Sequence, residues 1–103
     1  MYEKMNKLVR DNIPEIIKQQ GDIPEFVILD NDDYCEKLKA KLKEEVDEYI
    51  LSDDVVELGD ILEVINAMLT TKNMSMSDIE IIRNKKAQTN GGFFNRVFLK
   101  GVT

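Results

Sequence analysis

Histidine is absent from this chain of 103 residues, and cysteine occurs once, as Cys35. Without histidine there is no His-containing catalytic triad and no His-ligated zinc or iron site. One cysteine cannot close an internal disulfide or build a thiolate metal cage. Cys35 reads as a small buried hydrophobe in a reducing, cytoplasmic compartment. No apolar run approaches the roughly 20 residues that a membrane span needs. The opening Met1-Tyr2-Glu3-Lys4-Met5-Asn6-Lys7 lacks the apolar centre of a signal peptide. Basic charge is also outweighed: 14 Lys and Arg stand against 20 Asp and Glu, a net charge of −6, which argues against general binding to nucleic-acid polymers. What remains for chemistry is carboxylate oxygen, which suits magnesium, manganese or calcium.

The apolar fraction of 43% and charged fraction of 33% describe a folded chain, read as one domain over residues 1–103. So small a core is modest for the surface it must stabilise, so a homo-oligomer, dimer or tetramer, is expected. The pattern is all-α, with about four helices. The first follows Arg10, with Asn12 or Asp11 as cap, Pro14 in its first turn, Ile13, Ile16 and Ile17 on its buried face and Gly21 as its stop. Lys7 and Arg10 precede it, either pointing into a cleft or solvated. The second runs from Asn31 or Asp32 to about Leu51, and the third from a Ser52 cap to about Lys72. The fourth opens on a Ser75/Asp78 capping box, is expected to turn Ile79 and Ile82 inward with Met76 one turn earlier, and stops at Asn90-Gly91-Gly92. Two short apolar runs, residues 26–29 and 95–99, have strand character and are expected to pair as a small antiparallel ribbon.

The informative stretch is the hairpin from Leu42 to Asp60. It holds two acidic pairs, Glu45/Glu48 and Glu57/Asp60, each spaced three residues apart. That spacing puts both members of a pair on one helical face. Projected at 100° per residue, Glu45 falls inside the apolar stripe of Tyr34, Cys35, Leu38, Leu42, Val46 and Tyr49, with Glu48 and Lys41 at its edge. Glu57 falls among Ile61, Val64 and Met68, and Asp60 between Val64 and Ala67. Glu44 and Asp47 turn outwards and read as solvated charge. A carboxylate aimed into an apolar face is costly unless paired. Four gathered together need one or two cations. Gly59 is expected to mark a close approach of backbone or ligand, because glycine costs roughly 1 kcal/mol in a helix interior. A magnesium ion held this way can bind substrate phosphates, with Lys41, Arg10, Lys85 and Lys86 as a nearby basic supply.

Glu45-x-x-Glu48 followed by Glu57-x-x-Asp60, within Leu42-Lys43-Glu44-Glu45-Val46-Asp47-Glu48 and Glu57-Leu58-Gly59-Asp60-Ile61-Leu62-Glu63-Val64, resembles the MazG-like superfamily of all-α nucleoside triphosphate pyrophosphohydrolases. The flanks Lys7–Pro14 and Lys85–Phe93 are similar to its phosphoribosyl-ATP pyrophosphohydrolase-like branch. The resemblance implies a helical bundle that hydrolyses a nucleotide between its α and β phosphates, giving a nucleoside monophosphate and pyrophosphate. It implies Mg²⁺, with Mn²⁺ as a possible substitute, held by Glu45, Glu48, Glu57 and Asp60. It implies that an acid of the cluster, Glu48 first (with Glu45 as the other catalytic candidate) and Glu44 behind them, orients or deprotonates the attacking water. Lys41, Arg10 and Lys85 would contact substrate phosphate. The interval between the acidic pairs is short for the superfamily, and no particular base or sugar is transferred; a house-cleaning nucleotide hydrolase is the expected role. The competing expectations are a catalytically silent helical protein that binds metal or nucleotide in regulation or assembly, and a plain helical interaction module.

Overall fold

Caps and apolar periodicity place four helices: α1 (Ile13–Gln19), α2 (Asn31–Ser52), α3 (Val55–Thr71) and α4 (Met76–Asn90). They are seen in a computed structural model that describes residues 2–103. The fold is all-α and bundle-like, with no strand among the described residues. Also among those residues, no helix is long and apolar enough to cross a membrane.

Each helix begins where a short polar side chain can take an orphan backbone N–H. Asp30 accepts from the Asp33 N–H at 2.9 Å and caps α2, which begins at Asn31 as expected. Ser75 and Asp78 close the expected capping box on α4. The α3 cap is a correction. Ser52 is the last residue of α2, and Asp54 caps α3 by accepting from Val56 N–H at 3.0 Å. Asp53 makes this two-residue turn possible, in the left-handed region at φ 54. Its N–H donates to the Tyr49 carbonyl at 2.7 Å, and aspartate tolerates that backbone better than most side chains.

So short a turn folds α3 back along α2, and these two helices form the only extensively packed pair among the described residues. Leu38, Val64 and Leu69 are the buried apolar residues at their seam. The segment Leu8–Ile16, including the start of α1, lies across the α2–α3 hairpin and walls a cleft there. By contrast α4 stands away. The radius of gyration is 18.2 Å and the longest extent 60 Å, against about 13 Å for the radius of a compact chain of this length.

That openness corrects several apolar expectations. Met76 and Ile82 of α4 face solvent, with Ile82 52% exposed, and Ile16 of α1 is 42% exposed at the cleft. Gly59 meets no close neighbour: a Cβ built there would find nothing within 4 Å. The ribbon from residues 26–29 and 95–99 does not form. Two short strands with no third strand or helix to cover them are marginal in water, and here Ile28 and Val97 are left 89% and 86% exposed.

Candidate metal centre

The helix α2 carries Lys41, Glu44, Glu45 and Glu48 through successive turns, and α3 returns Glu57 and Asp60. Glu45 is the only buried charged residue among those described, at 7% exposure. Lys41, one turn earlier, explains part of how it is tolerated. The Lys41 ammonium lies 3.3 Å from one Glu45 oxygen and donates to Glu44 at 3.4 Å.

The hairpin brings the acids together across the two helices. Carboxylate oxygens of Glu45, Glu57 and Asp60 lie within 4.8 Å of one another, and so do those of Glu44, Glu45 and Glu48. All four expected ligands therefore gather around Glu45, which belongs to both groups. Asp47 is solvated, as expected, and pairs with Lys43 at 2.9 Å. Glu44 departs from expectation: it is half-buried beside Lys41, with Lys7 at 3.7 Å. The signal for it was Lys41 three residues earlier, a spacing that pulls a carboxylate inward along the helix.

Electrostatics mark the site as incompletely neutralised. The Oε2 atoms of Glu45 and Glu57 are shut off from solvent with no hydrogen-bond partner. Such orphaned acceptors are rare in folded proteins because each forfeits its hydration without replacement. Removal from water, and then the negative charges of Glu48 and Asp60, push the Glu57 carboxyl up to about 7. Asp60 is better served, accepting from the Arg10 guanidinium at 2.8 Å.

The donor set fits a hard divalent cation. It is all carboxylate oxygen, and two of its oxygens are buried without a partner. The spread of 4.8 Å is comparable to the roughly 4.2 to 5 Å between opposite oxygen ligands of one Mg²⁺ or Ca²⁺. Beside the acids lies a cleft of about 560 Å³ lined by Arg10, Lys41, Glu45 and Asp60 on its polar side and by Leu8, Ile13, Leu38 and Val64 on its apolar side. Two of the three basic residues expected at phosphate thus reach the cleft. Lys85 does not, because no α4 residue lines it. Asn12, Tyr34 and Glu63 line the cleft as well. Tyr34, part of the apolar stripe of α2, thus lines the same cleft as Ile13 and Ile16 of α1.

No family model matches this chain, and no solved structure matches it. An uncharacterized protein of Mycolicibacterium smegmatis is 47% identical over 49 residues, which are 48% of this chain and 50% of that protein. The chain therefore spans about half the length of the relative it matches.

Proposed function

We propose that the chain is a Mg²⁺-dependent nucleoside triphosphate pyrophosphohydrolase of the MazG-like kind, releasing a nucleoside monophosphate and pyrophosphate. One observation carries the reading: the buried, half-unpartnered carboxylate of Glu45 is met across the hairpin by Glu57 and Asp60. Acids brought together on the dry side of two helices are a cost to the fold unless a cation neutralises them.

In this reading Glu45, Glu48, Glu57 and Asp60 hold the ion. Bound there, magnesium would offset charge developing on the phosphates and acidify water. The chain's own residues do the rest. Arg10 and Lys41 exchange their carboxylate partners for phosphate oxygens, Arg10 through a planar fork suited to two oxygens. Glu48, the most exposed of the four, is placed to take the proton of the attacking water. The apolar wall of Leu8, Ile13 and Val64 excludes bulk water and strengthens each charge contact.

A second reading has its own support. Lys41 and Arg10 already pair with Glu45 and Asp60, so the cluster is partly neutralised without a cation, as in a silent binding protein of the same fold. Pyrophosphate release from a panel of nucleoside triphosphates, with Mg²⁺ and with EDTA, separates the two. Mg²⁺-dependent release that is lost in Glu48→Gln supports the enzyme. A folded protein that turns over no member of the panel sinks it.

A further inference from the structure

One carboxylate of the cleft stands apart from the ion site. Glu63 lines the cleft together with Arg10, Lys41, Glu45 and Asp60. It belongs to neither group of carboxylates close enough to share a cation. Among the described residues it forms no ion pair. Arg10 and Lys41, the two cations of the cleft, are already matched to Asp60, Glu44 and Glu45.

Helix geometry fixes where Glu63 sits relative to the acids. Asp60, Glu63, Val64 and Ala67 make a stripe at i, i+3, i+4 and i+7 of α3 that faces the cleft. The matching stripe of α2 is Tyr34, Leu38, Lys41 and Glu45. Because α2 runs towards the hairpin turn and α3 away from it, the cleft has an order. The carboxylates of the ion site come first. Glu63 comes next, about 4.5 Å along α3 from Asp60. The apolar end with Leu38, Ala67 and Tyr34 comes last, Tyr34 lying about 16 Å along α2 from Glu45. Phosphate, sugar and base follow one another in a nucleotide in that same order.

An unneutralised carboxylate repels phosphate and needs a donor. The uncharged part of a nucleotide that carries donors closest to the α-phosphate is the ribose. Its 2′- and 3′-hydroxyls lie side by side on one face of the ring, and a carboxylate has two acceptor oxygens to meet them. A 2′-deoxyribose has lost one of the two donors.

We infer that Glu63 reads the sugar, accepting hydrogen bonds from the 2′- and 3′-hydroxyls, so that the cleft selects ribonucleotides over 2′-deoxyribonucleotides. When the 2′-hydroxyl is missing, one oxygen of Glu63 is left without its partner, the kind of mismatch that discriminates strongly. The base lies against Leu38 and Tyr34, where apolar and aromatic contact accepts the face of any base. Selection is therefore strong for the sugar and weak for the base. The inference rests on the substrate class proposed above, a nucleotide, and not on its cleavage.

The test titrates the full-length chain in Mg²⁺ with α,β-methylene triphosphates, which cannot be cut between the α and β phosphates. Ribose and 2′-deoxyribose forms of an adenine and a cytosine analogue are compared by calorimetry. The ribose form should bind at least about tenfold tighter, as a hydrogen bond to a charged group implies. Glu63→Ala should bring the two sugars to near-equal affinity by weakening the ribose form, and Glu63→Gln, which keeps one acceptor, should fall between. Equal affinity for both sugars in the unsubstituted chain overturns the inference. So does a Glu63→Ala chain that loses affinity for both sugars alike, the outcome of a merely structural role. Sugar preference without turnover of cleavable ribonucleotides would sink the enzyme reading alone; turnover without sugar preference would sink this inference alone. A chain that binds neither form sinks both.

Discussion

Replacing Glu45 by glutamine probes the site at its most buried point. The carboxylate has one oxygen 3.3 Å from the Lys41 ammonium and the other without a partner. A buried orphan acceptor costs about 1–3 kcal/mol. Glutamine keeps the shape, removes a negative charge, and offers an N–H to Glu57 or Asp60, whose oxygens lie within 4.8 Å. Lys41 keeps Glu44 at 3.4 Å. Without metal the variant should therefore gain about 1 kcal/mol, or about 4–8 °C in Tm for a domain of this size. With Mg²⁺ that advantage disappears and the two proteins should melt together. At tenfold over Kd the ion stabilises the native protein by about 1.4 kcal/mol, a rise of about 6–11 °C. A variant with about tenfold weaker binding gains only about 0.4 kcal/mol from the same concentration. Scanning calorimetry in EDTA and in Mg²⁺ gives all four values. A Glu45→Gln chain that melts lower in EDTA and responds fully to Mg²⁺ would refute the reasoning, since it would make Glu45 a structural partner of Lys41 and nothing more.

Glu57 links the site to pH. Its carboxyl lies at about 7 in the fold, above its ordinary 4.5, so its contribution to stability is complete below pH 4.5 and is lost as pH rises through 7. Metal-free Tm should fall across that window, and Glu57→Gln should flatten the fall. Leu38→Ala empties one of the few buried positions, at 3% exposure, and should cost about 2–5 kcal/mol by denaturant melt, enough to abolish cooperative unfolding in a core this small. Arg10→Ala removes a pair at 2.8 Å whose partners are 59% and 33% exposed, so stability should change by less than about 1 kcal/mol while KM for a nucleotide substrate rises. Gly59→Ala should raise Tm of the isolated chain, since alanine is favoured by about 1 kcal/mol in a helix and its methyl group meets nothing within 4 Å.

Periodicity and caps made the helices legible. The apolar stripe carrying Leu38 predicted the inward turn of Glu45, and the mirrored spacing of Glu57 and Asp60 predicted that α3 would return them to it. Those are local rules, set by 3.6 residues per turn and by side chains that compete for orphan N–H groups. Ser52 and Asp54 show where such rules blur: both can accept a backbone N–H, and the left-handed Asp53 decides between them. Glu44 was missed because a helical projection ignores the pull of Lys41 and Lys7. Lys85 and the two apolar runs failed for a different reason. Their expected partners lie across the fold, and neither spacing nor propensity says which surface a segment such as α4 will meet.

The most direct test of the central claim is ³¹P NMR of a nucleoside triphosphate incubated with the purified chain and Mg²⁺. Cleavage between the α and β phosphates predicts paired growth of nucleoside monophosphate and pyrophosphate signals, absent in EDTA and lost in Glu48→Gln. Nucleoside diphosphate with orthophosphate, or a spectrum that does not change for any nucleotide, would contradict it.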